Sequence, residues 1–153
     1  LTMTNCTIAD NHGYIVGGIG NQGTAEIRNT ISANAAGTDC VNYGTFNVNI
    51  NNLMEDGSCN TGGIGFLTGD PLLGPLADNG GGTMTHALLE GSPAIDAGNP
   101  AGCGDPLGAQ LPFDQRGYPR HYDGGIGSPR CDMGAYETLA TAANAIFLPV
   151  ARK

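Results

Sequence analysis

LTMTNCTIADN (Leu1–Asn11) and AEIRNTISAN (Ala25–Asn34) decide how this chain folds. Laid over one another with one residue skipped, they put Met3 on Ile27, Asn5 on Asn29 and Ile8 on Ile31, a repeat of 23–24 residues. Each is a short strand rich in Thr and Ile that ends in Asn. A period in the twenties marks a solenoid, in which each repeat is one coil that cannot bury its own apolar face alone. Between the two, YIVGGIGNQGT supplies a second, shorter strand of Ile15, Val16 and Ile19 bounded by glycines, and with it the other sides of the coil.

A third rung follows in YGTFNVNINNL. Phe46, Val48 and Ile50 alternate there with Thr45, Asn47 and Asn49, a two-residue period that turns one face inward. Its Asn side chains can stack between rungs, since an amide both donates and accepts. At strand ends, as at Asn11 and Asn34, Asn also suits the left-handed backbone of a tight turn.

Parallel coils rise about 4.8 Å each and leave an open sheet edge at both ends. DPLLGPLADNGGGTMTHALLEGSPAIDAG, Asp70–Gly98, reads as the start of a cap over one of them. From Gly62 onward the periodicity stops, and Leu67, Leu72, Leu73, Leu76, Leu88, Leu89 and Ile95 arrive in irregular loops. Pro71, Pro75 and Pro93 remove backbone donors and so block addition of another strand. THALLEGSPA reads as containing one helical turn that ends at Gly91. The expectation is an all-β chain: terminal solenoid coils over 1–61, an irregular, loop-rich C-terminal cap over 62–137, then a linker and apolar tail strand over 138–153.

Composition agrees with that class. The chain's 153 residues suffice for one domain, and 26 Gly and 9 Pro argue against a helical protein. Without Trp, and with 6% aromatic residues, the core must be aliphatic. Six Lys and Arg against 14 Asp and Glu give a net charge of −8, which excludes the basic face that nucleic acid or anionic lipid requires. No run approaches the roughly 18 apolar residues of a membrane span. No signal peptide is visible and Leu1 opens directly on strand-like sequence, as in a C-terminal portion of something longer.

Five cysteines, none in a C-x-x-C pair or near a His at ligand spacing, point to disulfides and an oxidising compartment rather than zinc. The expected pairs are Cys40–Cys59 and Cys103–Cys131, each closing a local loop worth about 3 kcal/mol. Cys6, left over in a strand, reads as a small buried hydrophobe.

Catalytic signals are sparse, and no catalytic or cofactor-binding residues are assigned. The rung region holds only Asp10, Glu26, Arg28 and Asp39; Glu26 and Arg28 share a strand and a face but lack a second carboxylate one coil earlier. His12, His86 and His121 lie near no nucleophile motif. Asp70, Asp78, Asp96, Asp105, Asp114, Asp123 and Asp132 are spread through the cap without a D-x-D-x-D-G loop, so structural calcium is the weaker reading and turn capping, as at Asp78 and Asp123, the stronger. Arg116 in DQRG is flanked by Asp114; a buried pair with Asp96, Asp132 or Glu137 would tie the last loops of the cap together.

DPLLGPLADNGGGTMTHALLEGSPAIDAG, DQRGYPR and CDMGAYE occur in this order, and with them the chain from Asn29 to Glu137 resembles the C-terminal part of bacterial surface β-helix proteins of the choice-of-anchor Q type. The tail AIFLPVARK is similar to those of secreted Chloroflexota proteins. The resemblance implies a right-handed parallel β-helix at the cell surface or outside a bacterium, and no enzyme. No LPxTG-type signal follows Glu137, which leaves the attachment route open.

The expected function is therefore that of a non-enzymatic extracellular structural protein, a β-helix piece of an adhesin, stalk or self-assembling filament. Its partner at the open end would be upstream coils of the same polypeptide or another copy. The apolar tail Ala145, Ile146, Phe147, Leu148, Pro149 and Val150 is the candidate assembly strand; an edge strand on its own domain or part of a secretion signal are its other readings. The alternative is a carbohydrate-binding or polysaccharide-cleaving β-helix with its groove on upstream coils. A surface glycan would then be the partner, although the rungs offer only Tyr14, Tyr43 and Phe46 as platforms.

Overall fold

The computed structural model describes residues 1–120 and 130–139. Among them the chain is all-β, without a helix, and most of its strand pairing is parallel. It makes successive circuits through three sheets. The first circuit is β1 (Thr2–Thr4), β2 (Thr7–Ala9) and β3 (His12–Asn21); the second is β4 (Thr24–Arg28), β5 (Ile31–Ala33) and β6 (Ala36–Asn42). The third passes through β7 (Thr45–Ile50) and β8 (Leu53–Met54), and β9 (Leu67–Thr68) adds to the same sheet as β8. The resulting strand orders are β1-β4-β7, β2-β5-β8-β9 and β3-β6, all parallel.

The corners make this stacking regular. Asn5, Asn29 and Asn51 adopt left-handed backbone at φ 49°, 48° and 49°, and Asp10 and Asn34 do so at 57° and 55°. Asn and Asp tolerate this region because their short polar side chains bond locally. The second corner thus uses Asp10 rather than Asn11. Equal corners need no inserted residue, so the spacing stays at 24 from Met3↔Ile27 through Thr7↔Ile31 to Ala9↔Ala33. Ile8 therefore lies beside Ser32, not beside Ile31 as the skipped alignment predicts.

The third rung also departs from its sequence pattern. Ala25 pairs with Phe46 but Glu26 with Val48, so Asn47 is an extra, bulged residue in β7. A one-residue slip exchanges the faces of everything beyond it. Phe46 packs inward against Ile19, Ile27, Cys40 and Met54. Past the bulge it is Asn49 that is buried, whereas Val48 and Ile50 align with the polar pair Glu26 and Arg28. In β3 the excess is larger: His12 pairs with Ala36 and Val16 with Thr38, four residues of chain against two. Tyr14 and Ile15 are thereby extruded and solvent-exposed, and only Ile19 of the expected inward set is fully buried.

The chain beyond Gly69 does not continue the circuits. It folds back along their flank. On β5, Ser32 faces inward, donating through Oγ to the Asp39 carbonyl at 3.1 Å, so Ile31 and Ala33 face out. Ile31, Ala33 and Leu53 are nonetheless fully buried, because Leu88, Ala94 and Met133 cover them. Burying side chains as large as those of Ile31, Leu53 and Met133 contributes roughly 1.5–3 kcal/mol each. The covering element is an antiparallel hairpin, β10 (Leu73–Ala77) and β11 (Thr85–Leu88), followed by turns. Thr85–Leu88 is thus a strand where a helical turn is expected, and Pro75 sits in the irregular pairing between Leu73 and Leu76, where a missing donor costs least.

Candidate functional site

The two ends of the circuits differ, and the difference is local chemistry. At the upstream end, among the described residues, β1, β2 and β3 pair on one side only. Met3 and Ile8 line the inner core there but are only half-buried, while Ile27 and Ser32, one circuit on, are fully buried. Leu1 is exposed, and its amino group donates to the Thr24 carbonyl at 2.9 Å, continuing the ladder. Strand edges carrying unpaired N–H and C=O groups beside uncovered apolar side chains form a template for another strand.

At the downstream end side chains replace the missing strand. The N–H groups of Asp39 and Cys40 in β6 donate to Asp56 Oδ2 at 3.1 Å and Ser58 Oγ at 2.8 Å. Glu55 Oε2 accepts the Asn34 N–H at 2.6 Å, and the Cys40–Cys59 disulfide fastens the segment in place. Asn49 Nδ2 reaches the Cys59 carbonyl at 2.9 Å, and Phe66 plugs the core against Met54 and Ile27. These closing residues precede the Leu-rich stretch expected to do this work.

The flank is held by a buried polar network. Asn5 Nδ2 donates to the Asp132 carbonyl at 3.1 Å and to Cys103 Sγ at 3.2 Å, while the Asn29 carboxamide accepts the Asn99 N–H at 2.9 Å. The Cys103–Cys131 disulfide lies against these two corners. Gly134 donates its N–H to the Asn29 carbonyl at 2.7 Å, and Ala135 its N–H to Thr7 Oγ1 at 3.0 Å.

Arg116 is buried as the sequence suggests, but its ion pair is with Asp114, at 2.7 Å, rather than with Asp96, Asp132 or Glu137. The turn closed by Gly117 N–H on the Asp114 carbonyl, with Gly117 at φ 87°, folds the guanidinium back onto the carboxylate two residues earlier. Its planar face lies between two rings, 3.5 Å from the Tyr136 centroid and 4.5 Å from that of Tyr118. It still ties the cap through backbone, donating to the carbonyls of Glu137 at 2.6 Å and Asn79 at 3.4 Å.

The Glu137 carboxylate instead meets Arg120 at 3.3 Å, and Arg120 also bonds the Gly134 and Phe113 carbonyls. Asp132 accepts the N–H groups of Asp96 at 2.8 Å and Thr138 at 2.6 Å. Arg120 escaped the sequence reading; its one signal is the second Arg of DQRGYPR, four residues after the first.

Burial alone would raise Asp114, yet the Glu137 N–H, the Arg116 guanidinium and the Tyr118 and Arg116 N–H groups overcome it and hold the carboxyl below its usual range. Burial pushes Asp132 up, against the opposing pull of Thr138, and the nearby Asp96 charge adds to the rise. Burial lowers Arg120, with Glu137, Asp114 and Asp132 opposing. The charges of Asp114, Arg116, Arg120, Asp132 and Glu137 all have hydrogen-bonding company, the condition for tolerating them in a core.

The remaining candidates are scattered. Glu26 and Arg28 pair at 3.1 Å, flanked by Thr2 and Thr4 on one side and by Val48 and Ile50 on the other, so no second carboxylate joins them in the ladder. His86 Nδ1 lies 2.8 Å from the Gly74 carbonyl, with Nε2 3.9 Å from Asp10. His12 is exposed. Tyr14 and Tyr43 stand at opposite ends of the β3-β6 sheet, and Phe46 turns inward, so they form no shared platform. Cys6 is half-buried and is the one unpaired cysteine. Asp78 Oδ1 caps the Gly80 N–H at 3.0 Å. His121, Asp123 and the tail Ala145–Val150 lie outside the described residues.

Among the described residues no group of three or more His, Cys, Asp and Glu is arranged to hold a metal ion. Nor, among them, is any helix long and apolar enough to cross a membrane. Comparison with family models, curated proteins and solved structures finds no match to this chain.

Proposed function

We propose that this chain is the end piece of an extracellular, non-enzymatic structural protein, its circuits being coils of a right-handed parallel β-helix in a bacterial surface adhesin or stalk. The observation that carries this reading is the contrast between the ends: three strands pair on one side only upstream, while Asp56, Ser58 and a disulfide close the edge downstream. A stack built in this way accepts a neighbour at one end. The neighbour is a further coil of the same kind, upstream in the same polypeptide or supplied by a second copy. Two disulfides suit an oxidising compartment and hence a secreted location. The filament reading requires the tail 145–150 as a second contact, because the closed end offers no free strand of β6.

The test is to extend the open end. A chain carrying a second copy of residues 1–24 ahead of Leu1 should melt at higher temperature than the original and should lose any concentration-dependent association measured by light scattering. If the added residues are cleaved by protease as fast as an unfolded peptide and the melting temperature does not move, the stacking reading is wrong. Fibres that form with and without residues 145–153 would remove the tail from the account.

A further inference from the structure

We infer that Asp39 and Asp56 hold one proton between them, and that this proton keeps the closing segment 55–63 seated on β6. The geometry is reciprocal. Asp56 Oδ2 accepts the Asp39 N–H at 3.1 Å, and Asp39 Oδ2 accepts the Asp56 N–H at 2.9 Å. Each carboxyl group is thus anchored on the other residue's backbone, Asp39 inside the fold and Asp56 at its exposed rim. Asp39 is 2% exposed, and its Oδ1 is buried without a hydrogen-bond partner. A bare carboxylate charge in such a place is costly, and a proton lowers the cost by removing the charge.

Among the described residues no Lys or Arg lines the cleft around the pair. The surrounding cleft, ≈ 550 Å³, is lined by His12 of β3, by Asn34, and by the carboxyl-bearing Asp39, Glu55 and Asp56. Glu55 adds a third carboxylate from the closing segment, and β5 contributes only the Ser32 hydroxyl, which is turned to the Asp39 carbonyl. Among the described residues lining the cleft, His12 is the one that can carry positive charge.

Which residue holds the proton follows from the surroundings. Burial raises Asp39, and the charges of Asp56 and Glu55 raise it further, against one opposing N–H bond from Asp56. Burial would raise Asp56 as well, but the Ser58 hydroxyl and N–H, together with the Asp39 N–H, bring it below its usual value. Asp39 therefore contributes stability that is complete below its unfolded value and is lost as the pH rises through its folded one. Asp56 contributes stability that is present above its unfolded value and lost as the pH falls through its folded one. The segment sits most firmly between the two folded values, around the ordinary value of an Asp carboxyl. Above that window three carboxylates repel, and the segment loosens over β6 within the tether of the Cys40–Cys59 disulfide, opening the edge N–H groups of Asp39 and Cys40 to water more often.

The experiment is a carboxyl-carbon NMR titration of the intact oxidised chain from about pH 2 to 8, with amide exchange at Asp39, Cys40 and Asp56 followed over the upper part of that range. Asp39 should titrate above the ordinary Asp range and Asp56 below it. Protection of the three amides, corrected for intrinsic exchange, should fall several-fold as Asp39 ionises. In Asp39→Asn, whose amide replaces the acid proton, protection should no longer depend on pH. Titration of both carboxyls in one ordinary step, or protection that does not change with pH in the parent chain, would overturn the inference. The parent titration decides the matter even if the variant fails to fold.

Discussion

Asn29 lies one circuit beyond Asn5 and donates its Nδ2–H to Asn5 Oδ1 across 3.3 Å, with both residues buried and in the same left-handed conformation. The corner is at once a turn, a ladder of amides and the seat of the flanking segment, because Asn99, Cys103 and Asp132 all bond to it.

Asn29→Ala removes a residue that tolerates φ 48° and strands the Asn99 N–H. The expected loss is about 2–4 kcal/mol, combining left-handed strain with an unsatisfied buried donor. Asn29→Gly keeps the backbone and loses the amide, so it should cost less. Urea unfolding of both variants checks the order; equal stability of Ala and the parent would remove the corner from the energetics.

Gly134 has φ 90°, and a Cβ there would stand 2.6 Å from Thr7 Oγ1 and 2.9 Å from Ile31 Cδ1. Gly134→Ala should therefore lift the flank from β2 and β5 and cost at least about 2 kcal/mol. Faster amide exchange at Gly134 and Ala135, more than at Gly18 or Val41 inside the circuits, is the signature to seek.

The acid limb of stability should belong largely to Asp114. Its carboxyl is held below the usual range, so its contribution is present above its unfolded value and disappears as the pH falls through the folded one. Asp132, held above, works in the opposite sense, with a contribution lost as the pH rises. Asp114→Asn should flatten the decline of unfolding free energy between about pH 5 and 2, and at neutral pH should cost about 3–5 kcal/mol because Arg116 is left buried without its carboxylate. A parent-like acid limb in this variant would refute the assignment.

The bulge at Asn47 reverses what hydrophobicity suggests for β7. Val48→Thr, on the side of Glu26, should cost under about 0.5 kcal/mol. Asn49→Ala should cost about 1–3 kcal/mol, since it strands the Asn52 amide and the Cys59 carbonyl. Thermal melts of the two would settle the face; a larger loss for Val48→Thr would mean that the two-residue period continues unbroken.

The repeat was legible because equal corners make equal spacing, and Met3 over Ile27 and Asn5 over Asn29 stand as read from the sequence. Bulges were not legible, since a residue added to one strand leaves the alternation of Phe46, Val48 and Ile50 intact while reversing which face is buried. The flank was hidden for a related reason. Ile31 and Leu53 look like inner-core residues in any strand pattern, and only a long-range partner such as Met133 shows that they point outward. Local pairing of Cys40 with Cys59 and of Cys103 with Cys131 followed from short loops, whereas Arg116 found its carboxylate even closer, at Asp114, through a turn that residue type alone does not announce.

The distance between neighbouring rungs falls from 24 residues at Ile31 over Thr7 to 22 at Leu53 over Ile31 and 14 at Leu67 over Leu53. The perimeter shrinks like the tip of a spire, so a full-sized rung laid on the last one would overhang it. Termination is thus written into girth as well as into hydrogen bonding, and exchanging Asp56 or Ser58 for apolar residues would leave a ragged point rather than a surface able to grow.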